Sequence, residues 1–227
     1  MKAISPSPGL LLAPERAAHA DGFRRIGGID EAGRGPWAGP VVAAAVILRS
    51  RPQGVRIDDS KRLTARQRER AYAVILRCAD VGIGLASPEE IDHLNILQAT
   101  LMAMRRAILD LPAPPDVLLI DGTIAPAVPI PCRPIAHGDR LSEVIGCASI
   151  VAKVVRDRLM HFYHDLLPQY AFDQHKGYGT PLHTERLRQF GPSLLHRLTF
   201  EPVRRSAAPG MEPADVLAHE PVALARA

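Results

Sequence analysis

The chain has 227 residues, 47% of them hydrophobic, which supplies a continuous core and excludes a disordered or fibrous protein. Its 28 Lys and Arg against 24 Asp and Glu leave a net charge of +4, which permits a polyanionic partner without requiring one; aromatic residues at 4% argue against a nucleic-acid surface built mainly on base stacking. Three widely spaced cysteines with no CxxC pair argue against a disulfide framework or a structural zinc site, and the longest apolar run, Val41–Leu48, is far too short to cross a bilayer.

Residues 1–23 are rich in Ala, Pro and Arg and imitate a secretory signal. The apolar centre is only Leu10 to Ala13, with proline on both sides, so they read as a disordered leader of a cytoplasmic protein. One compact domain is expected over 24–204, with no internal repeat, and a second disordered tail over 205–227. Residues 25–30 and Val41–Leu48 read as strands buried on both faces, separated by a Gly/Pro-rich turn. Thr64 to Gln67 has capping-box spacing and opens a helix running to about Asp80. A strand follows over 81–86. Ser87 caps a second helix with proline at its first position and acids in its first turn, carried to about Leu109 with a break near Asn95. After Pro114-Pro115, residues 116–121 (DVLLID) read as a strand that delivers an acid at its carboxyl end. From Ser142 to about Leu167 apolar residues cover nearly the whole circumference, as in a helix packed inside a protein. Strands alternating with capped helices predict an α/β sheet with helices on its faces.

Acids fall where buried strands end or loops begin: Asp30-Glu31, Asp121, and Asp139 just ahead of the long helix. Four carboxylates gathered at such ends repel one another unless protonated or neutralised, and oxygen ligands suit hard Mg²⁺ or Mn²⁺. Taken singly, each is equally an ordinary turn or cap residue. Gly33-Arg34-Gly35 follows the acid pair directly. Its glycines allow close backbone approach and Arg34 offers a fork for phosphate, although tight turns also use glycine. Asp59-Ser60-Lys61-Arg62 reads most simply as a solvated approach to a helix. Ser149, Lys153 and Arg156 form one polar stripe on the apolar helix; a buried charge there needs a partner, which is either Asp157 or another acid, or a phosphate backbone. His175 to Thr180 (HKGYGT) is a glycine-flanked loop that presents Tyr178 for stacking on a sugar or base.

In order along the chain, GIDEAGRGPWAGPVVAAAVIL, DDSKRLTARQRE, SPEEIDHLNILQAT, LLIDG, HGD, CASIVAKVVRD, HKGYGTPLH and GPSLLHRLTFEPV resemble the motifs of bacterial ribonuclease HII, a type 2 ribonuclease H. The resemblance spans about Ile26 to Val203. It implies a ribonuclease H-like fold, a central mixed sheet flanked by helices with a carboxyl-terminal helical extension. The implied activity is hydrolysis of the RNA strand of RNA–DNA hybrids and incision 5′ to single ribonucleotides embedded in duplex DNA, in ribonucleotide removal from DNA. By position, the family's catalytic and metal-binding acids fall on Asp30, Glu31, Asp121 and Asp139, the same acids singled out by their placement. Gly33, Arg34 and Gly35 correspond to the motif that reads the 2′-OH, and Tyr178 to the tyrosine that senses the following deoxynucleotide. Lys61, Ser149 and Lys153 match positions of phosphate contact or site support. Two divalent ions, Mn²⁺ or Mg²⁺, are implied, with products carrying 5′-phosphate and 3′-OH, and family members act as monomers.

The chain departs from the family pattern at Trp37, read as core filler, at His137, read as a partly exposed strand-end histidine, and at Leu141. His161, His164, His183 and His196 lack metal-ligand spacing and read as structural or surface residues; the nine histidines together are expected to raise the net charge at mildly acidic pH. Three rivals differ in testable ways. A type 3 enzyme carries a sizeable amino-terminal domain, a non-catalytic hybrid-binding protein would lack one of the acids, and a DNA-only nuclease would have no use for the Gly33–Gly35 motif with Tyr178.

Overall fold

The computed structural model describes residues 13–206. Its first element corrects the expectation of a structureless leader: Ala13–Ala20 is a helix, α1. An eight-residue helix is marginal alone, and this one is held by distant partners. Ala18 is fully buried in a cluster with Ile26, Val117, Leu119, Val144 and Ile145. The Glu15 carboxylate accepts hydrogen bonds from Ser142 Oγ at 2.7 Å and from the Val144 N–H at 3.1 Å. Residues 1–12, and 207–227 of the expected tail, lie outside the described residues.

The core is a five-stranded sheet in the order β3-β2-β1-β4-β5, built from β1 (Ile26–Ala32), β2 (Val41–Leu48), β3 (Ala79–Ala86), β4 (Val117–Asp121) and β5 (Cys132–Ile135). β1 pairs antiparallel with β2, and β2 with β3; β4 is parallel to both β1 and β5. The sheet is therefore mixed, as the resemblance implied. β5, the edge strand CRPI, carries a proline and too few apolar residues to announce itself in sequence.

Helices form where the capping signals place them. Thr64 and Gln67 make a reciprocal capping box at α2 (Ala65–Cys78), and Ser87 and Glu90 make another at α3 (Pro88–Leu94). The break expected near Asn95 is real. That residue has φ +69°, and its side chain caps α4 (Ile96–Leu109) by accepting from the Leu97 and Gln98 N–H groups at 3.0 and 3.1 Å. The long helix α5 (Glu143–Leu166) is followed by α6 (Phe172–His175), α7 (Pro181–Phe190) and α8 (Glu201–Ser206), the carboxyl-terminal helical extension. None of the described helices is long and apolar enough to cross a membrane.

Strand alternation explains why β2 is apolar throughout. Ala43, Ala45 and Ile47 join the α4 side of the core with Ala103 and Ala107, while Ala44 and Val46 join α2 and α5 through Ala71, Ile75, Cys147 and Ile150. On β1, Gly28 lets α5 rest directly on the sheet. A Cβ at Gly28 would sit 2.5 Å from Ile145 N and 2.5 Å from Val144 O, both rigid backbone. Gly28→Ala is expected to cost about 3 kcal/mol by overpacking and to lower the thermal midpoint by about 10 °C. A melt within about 2 °C of wild type would show that α5 has freedom to move.

Candidate active site

Because β1 and β4 run parallel with Ile29 opposite Ile120, Asp30 and Asp121 leave the sheet side by side at its carboxyl edge, where sites in open α/β sheets gather. Successive strand residues face opposite ways. Asp30 lies on the α5 side, 5% exposed, accepting from the Glu31 N–H at 2.7 Å and held by a hydrogen bond with Ser149. Glu31 faces the α4 side and lines a cleft of about 410 Å³ with Arg34, Thr100, Met104, Asp121 and His137. Asp121 accepts from the Gly138 N–H at 2.7 Å, which draws in the turn Gly138–Arg140 that carries Asp139.

The acids act on one another's protons. Burial, then the charges of Glu31 and Asp121, hold the Asp30 carboxyl well above its ordinary range. Burial raises Glu31 too, against the opposing pull of Arg34, whose Nη1 lies 3.2 Å from Glu31 Oε1. Asp139 is pushed up to about 6 by burial and by Asp121 and Asp59. Lys61 tempers both Glu31 and Asp139. Among the described residues no three Asp, Glu, His or Cys side chains are drawn tightly enough to grasp one ion. The donor set nonetheless fits divalent cations, because hard oxygen ligands concentrated in a buried, mutually repelling group are what such ions neutralise.

The Asp59–Arg62 loop is not the solvated approach expected of it. Asp58, Asp59 and Ser60 are buried, and the Ser60 and Ser149 hydroxyls share a hydrogen bond of 3.0 Å. Asp59 accepts from Arg140 Nη2 at 2.9 Å, tying this loop to the turn that bears Asp139. Lys61 is thereby presented, exposed, beside the acids. The sequence offers Asp59 only as part of that solvated loop and gives no signal for Arg140; the doubled acid in DDSKR was the available hint of the pairing.

The polar stripe on α5 divides. Ser149 supports Asp30. Lys153 donates to Asp157 Oδ1 at 2.7 Å, with Nζ 6.0 Å from the Tyr178 ring centroid. Arg156 makes no ion pair with Asp157 or another acid among the described residues; it donates to three backbone carbonyls, of Pro40, Lys176 and Ala38. Tyr178 is 42% exposed, and a Cβ on Gly35 would come 3.8 Å from its ring, so the Gly33–Gly35 and Tyr178 loops share one rim. The Trp37 N–H donates to Gly177 O at 2.8 Å, and its ring packs on His183 with centroids 5.4 Å apart. His183 Nε2 lies 3.0 Å from His196 Nε2, and His183 Nδ1 3.0 Å from Tyr178 O. Burial lowers His183 to about 4 and His196 to about 3, and lowers His175 too. His183 and His196 therefore stay neutral at mildly acidic pH, which corrects the expectation that all nine histidines charge together.

A mixed sheet with a carboxylate cluster at the ends of adjacent parallel strands, crossed by a buried helix, defines a metal-dependent nuclease of ribonuclease H-like fold. Comparison narrows the class. A family model described as Ribonuclease HII matches residues 27–203. Ribonuclease HII of Syntrophobacter fumaroxidans is 52% identical over 204 residues, covering 88% of this chain and 86% of that one. The ribonuclease H2 structure from Pyrococcus horikoshii superposes with a TM-score of 0.69 at 25% identity, covering 81% of this chain and 97% of that one. The Mn²⁺ complex of Bst ribonuclease HIII superposes at 0.70 and 17% identity, over 84% of this chain and 71% of that one, a likeness of fold. The chain belongs to the ribonuclease HII family, endoribonucleases that act on RNA–DNA hybrids.

Proposed function

We propose that the protein incises 5′ to single ribonucleotides in duplex DNA, as well as cutting the RNA strand of hybrids, and leaves 5′-phosphate and 3′-OH ends during ribonucleotide removal. The observation that carries this reading is the continuity of the site. Glu31 contacts Arg34, and Gly35 borders Tyr178, so the groups suited to reading a ribose adjoin the acids. Asp30, Glu31, Asp121 and Asp139 would hold two Mn²⁺ or Mg²⁺ ions through their carboxylate oxygens, and ions held there would supply the Lewis acidity for activating water and stabilising the leaving 3′-oxygen.

The chain's own residues do the rest. Ser149 orients Asp30; Lys61 and Arg34 offer charge to phosphate. Gly33, Arg34 and Gly35 read the 2′-OH through backbone groups, and a site built for that bond rejects a nucleotide lacking it because its polar groups are left unpaired. Tyr178, with the cations of Lys153 and Arg156 at 6.0 and 5.9 Å from its ring, stacks on the next deoxyribose. Lys153 supports that ring. The working form is a cytoplasmic monomer.

The test is cleavage of a labelled duplex holding one ribonucleotide, beside a continuous hybrid and an all-DNA control. Tyr178→Ala is expected to slow incision at the single ribonucleotide by about tenfold more than hydrolysis of the hybrid, the worth of one stacking contact. A wild type that cuts hybrids but leaves the single ribonucleotide intact sinks the reading.

A further inference from the structure

Two arginines lie wholly inside the protein, Arg156 on α5 and Arg197 between α7 and α8, each with no exposed surface. Both spend their hydrogen bonds on backbone carbonyls. Arg156 donates to Pro40 O at 3.0 Å, Ala38 O at 3.1 Å and Lys176 O at 3.0 Å. Arg197 donates to Gly33 O at 2.6 Å, Arg34 O at 2.9 Å, and Gly39 O at 3.0 and 2.8 Å. Their acids act from a distance: Asp157 on Arg156, and Asp92 on Arg197. Asp92 itself accepts from the Leu198 and Thr199 N–H groups at 2.8 and 3.0 Å. Burial lowers the two guanidinium groups to about 10 and about 9, so both remain charged at neutral pH. Buried cations are costly, and here the carbonyls they hold belong to the two loops at the site.

In a trans peptide the C=O and the following N–H point in opposite directions, and no described peptide is cis. With the Gly33 and Arg34 carbonyls turned in to Arg197, the N–H groups of Arg34 and Gly35 turn away from it, and neither donates a hydrogen bond among the described residues. Arg156 makes the matching arrangement for the second loop: it holds the Lys176 carbonyl, and its guanidinium carbon lies 5.9 Å from the Tyr178 ring centroid.

We propose that Arg156 and Arg197 are positioning residues for ribose recognition: by gripping the inward carbonyls of both loops they preset the Arg34 and Gly35 N–H groups and the Tyr178 ring as one surface. Their charges, with no contacting carboxylate among the described residues, draw the phosphate backbone onto that surface. The inference rests on the reading of Gly33–Gly35 and Tyr178 as the junction-recognition groups.

The experiment measures, in EDTA, the affinity of the full chain for a fluorescent duplex with one ribonucleotide and for its all-DNA counterpart. Wild type is expected to bind the ribonucleotide duplex more tightly. Arg197→Lys keeps the charge but loses the fork, and is expected to bring the ratio of affinities near one, a loss of about tenfold, while all-DNA binding changes by less than about twofold. A merely destabilised protein weakens both affinities alike and leaves their ratio intact. A folded Arg197→Lys with the wild-type ratio overturns the proposal. Equal binding of both duplexes by wild type, with Tyr178→Ala no different, instead overturns the underlying reading of the two loops and the proposal with it. Should Arg197→Lys not fold, Arg156→Lys is read in the same assay. In the wild type, the Arg197 guanidinium resonances are expected to shift with the ribonucleotide duplex and not with DNA, and identical spectra count against the proposal.

Discussion

Asp30→Asn is expected to lower turnover by about a thousandfold or more, the scale of several kcal/mol of lost charge stabilisation, while making the metal-free protein more stable. The second effect follows from the sign of the titration. Asp30 and Asp139 are both held above their ordinary range, Asp139 at about 6, so between pH about 4 and about 6 these two carboxyls bind more protons in the folded state than in the unfolded one. Their contribution to stability in EDTA therefore falls as pH rises through that window, opposite in sign to that of the buried His183 and His196, and divalent cations recover it. Asparagine has nearly the shape of the acid, still accepts from the Glu31 N–H, and removes the repulsion from Glu31 and Asp121. At pH 7 in EDTA the variant is expected to gain about 1–2 kcal/mol, or about 4 °C in the thermal midpoint. Calorimetry with and without Mn²⁺, beside the cleavage assay, checks both halves. An inactive variant that melts below wild type would mean that the carboxylate anchors the fold instead of serving the chemistry.

Gly33→Ala is expected to damage stability and activity together, whereas Gly35→Ala spares stability. Gly33 has φ +99°, in the region that favours glycine; a Cβ there would overlap Arg156 Nε and stand 2.7 Å from Pro40 O. Neither neighbour yields, since Arg156 is fully buried and fastened to three carbonyls. The expected cost is about 3–5 kcal/mol, with kcat/KM falling about a hundredfold as the loop shifts by an ångström or so. At Gly35 the added methyl meets only the Tyr178 ring at 3.8 Å, an ordinary contact, so its melt should match wild type while ribonucleotide cleavage falls. Equal stability of the two variants would show that the loop is less tightly held than its contacts imply.

Local patterns along the chain specify strands β1 to β4, the capped helices and the placement of the acids at strand ends. β2 is apolar at every position because both faces are covered, Thr64 with Gln67 and Ser87 with Glu90 are complete capping signals within four residues, and Asp30 and Asp121 end apolar runs that belong to buried strands. Such signals are local, so they survive without tertiary context. The docking of α1, the edge strand β5, the pairing of Asp59 with Arg140 and the partners of Arg156 and Arg197 were decided only in three dimensions. Arg197 reaches Gly33 across 164 positions, Arg156 reaches Pro40 across 116, and Glu15 reaches Ser142 across 127. The two arginines, moreover, end on backbone carbonyls, which every residue carries and which leave no mark in an amino-acid sequence. Only the packing of the chain against itself selects which carbonyls face a buried guanidinium.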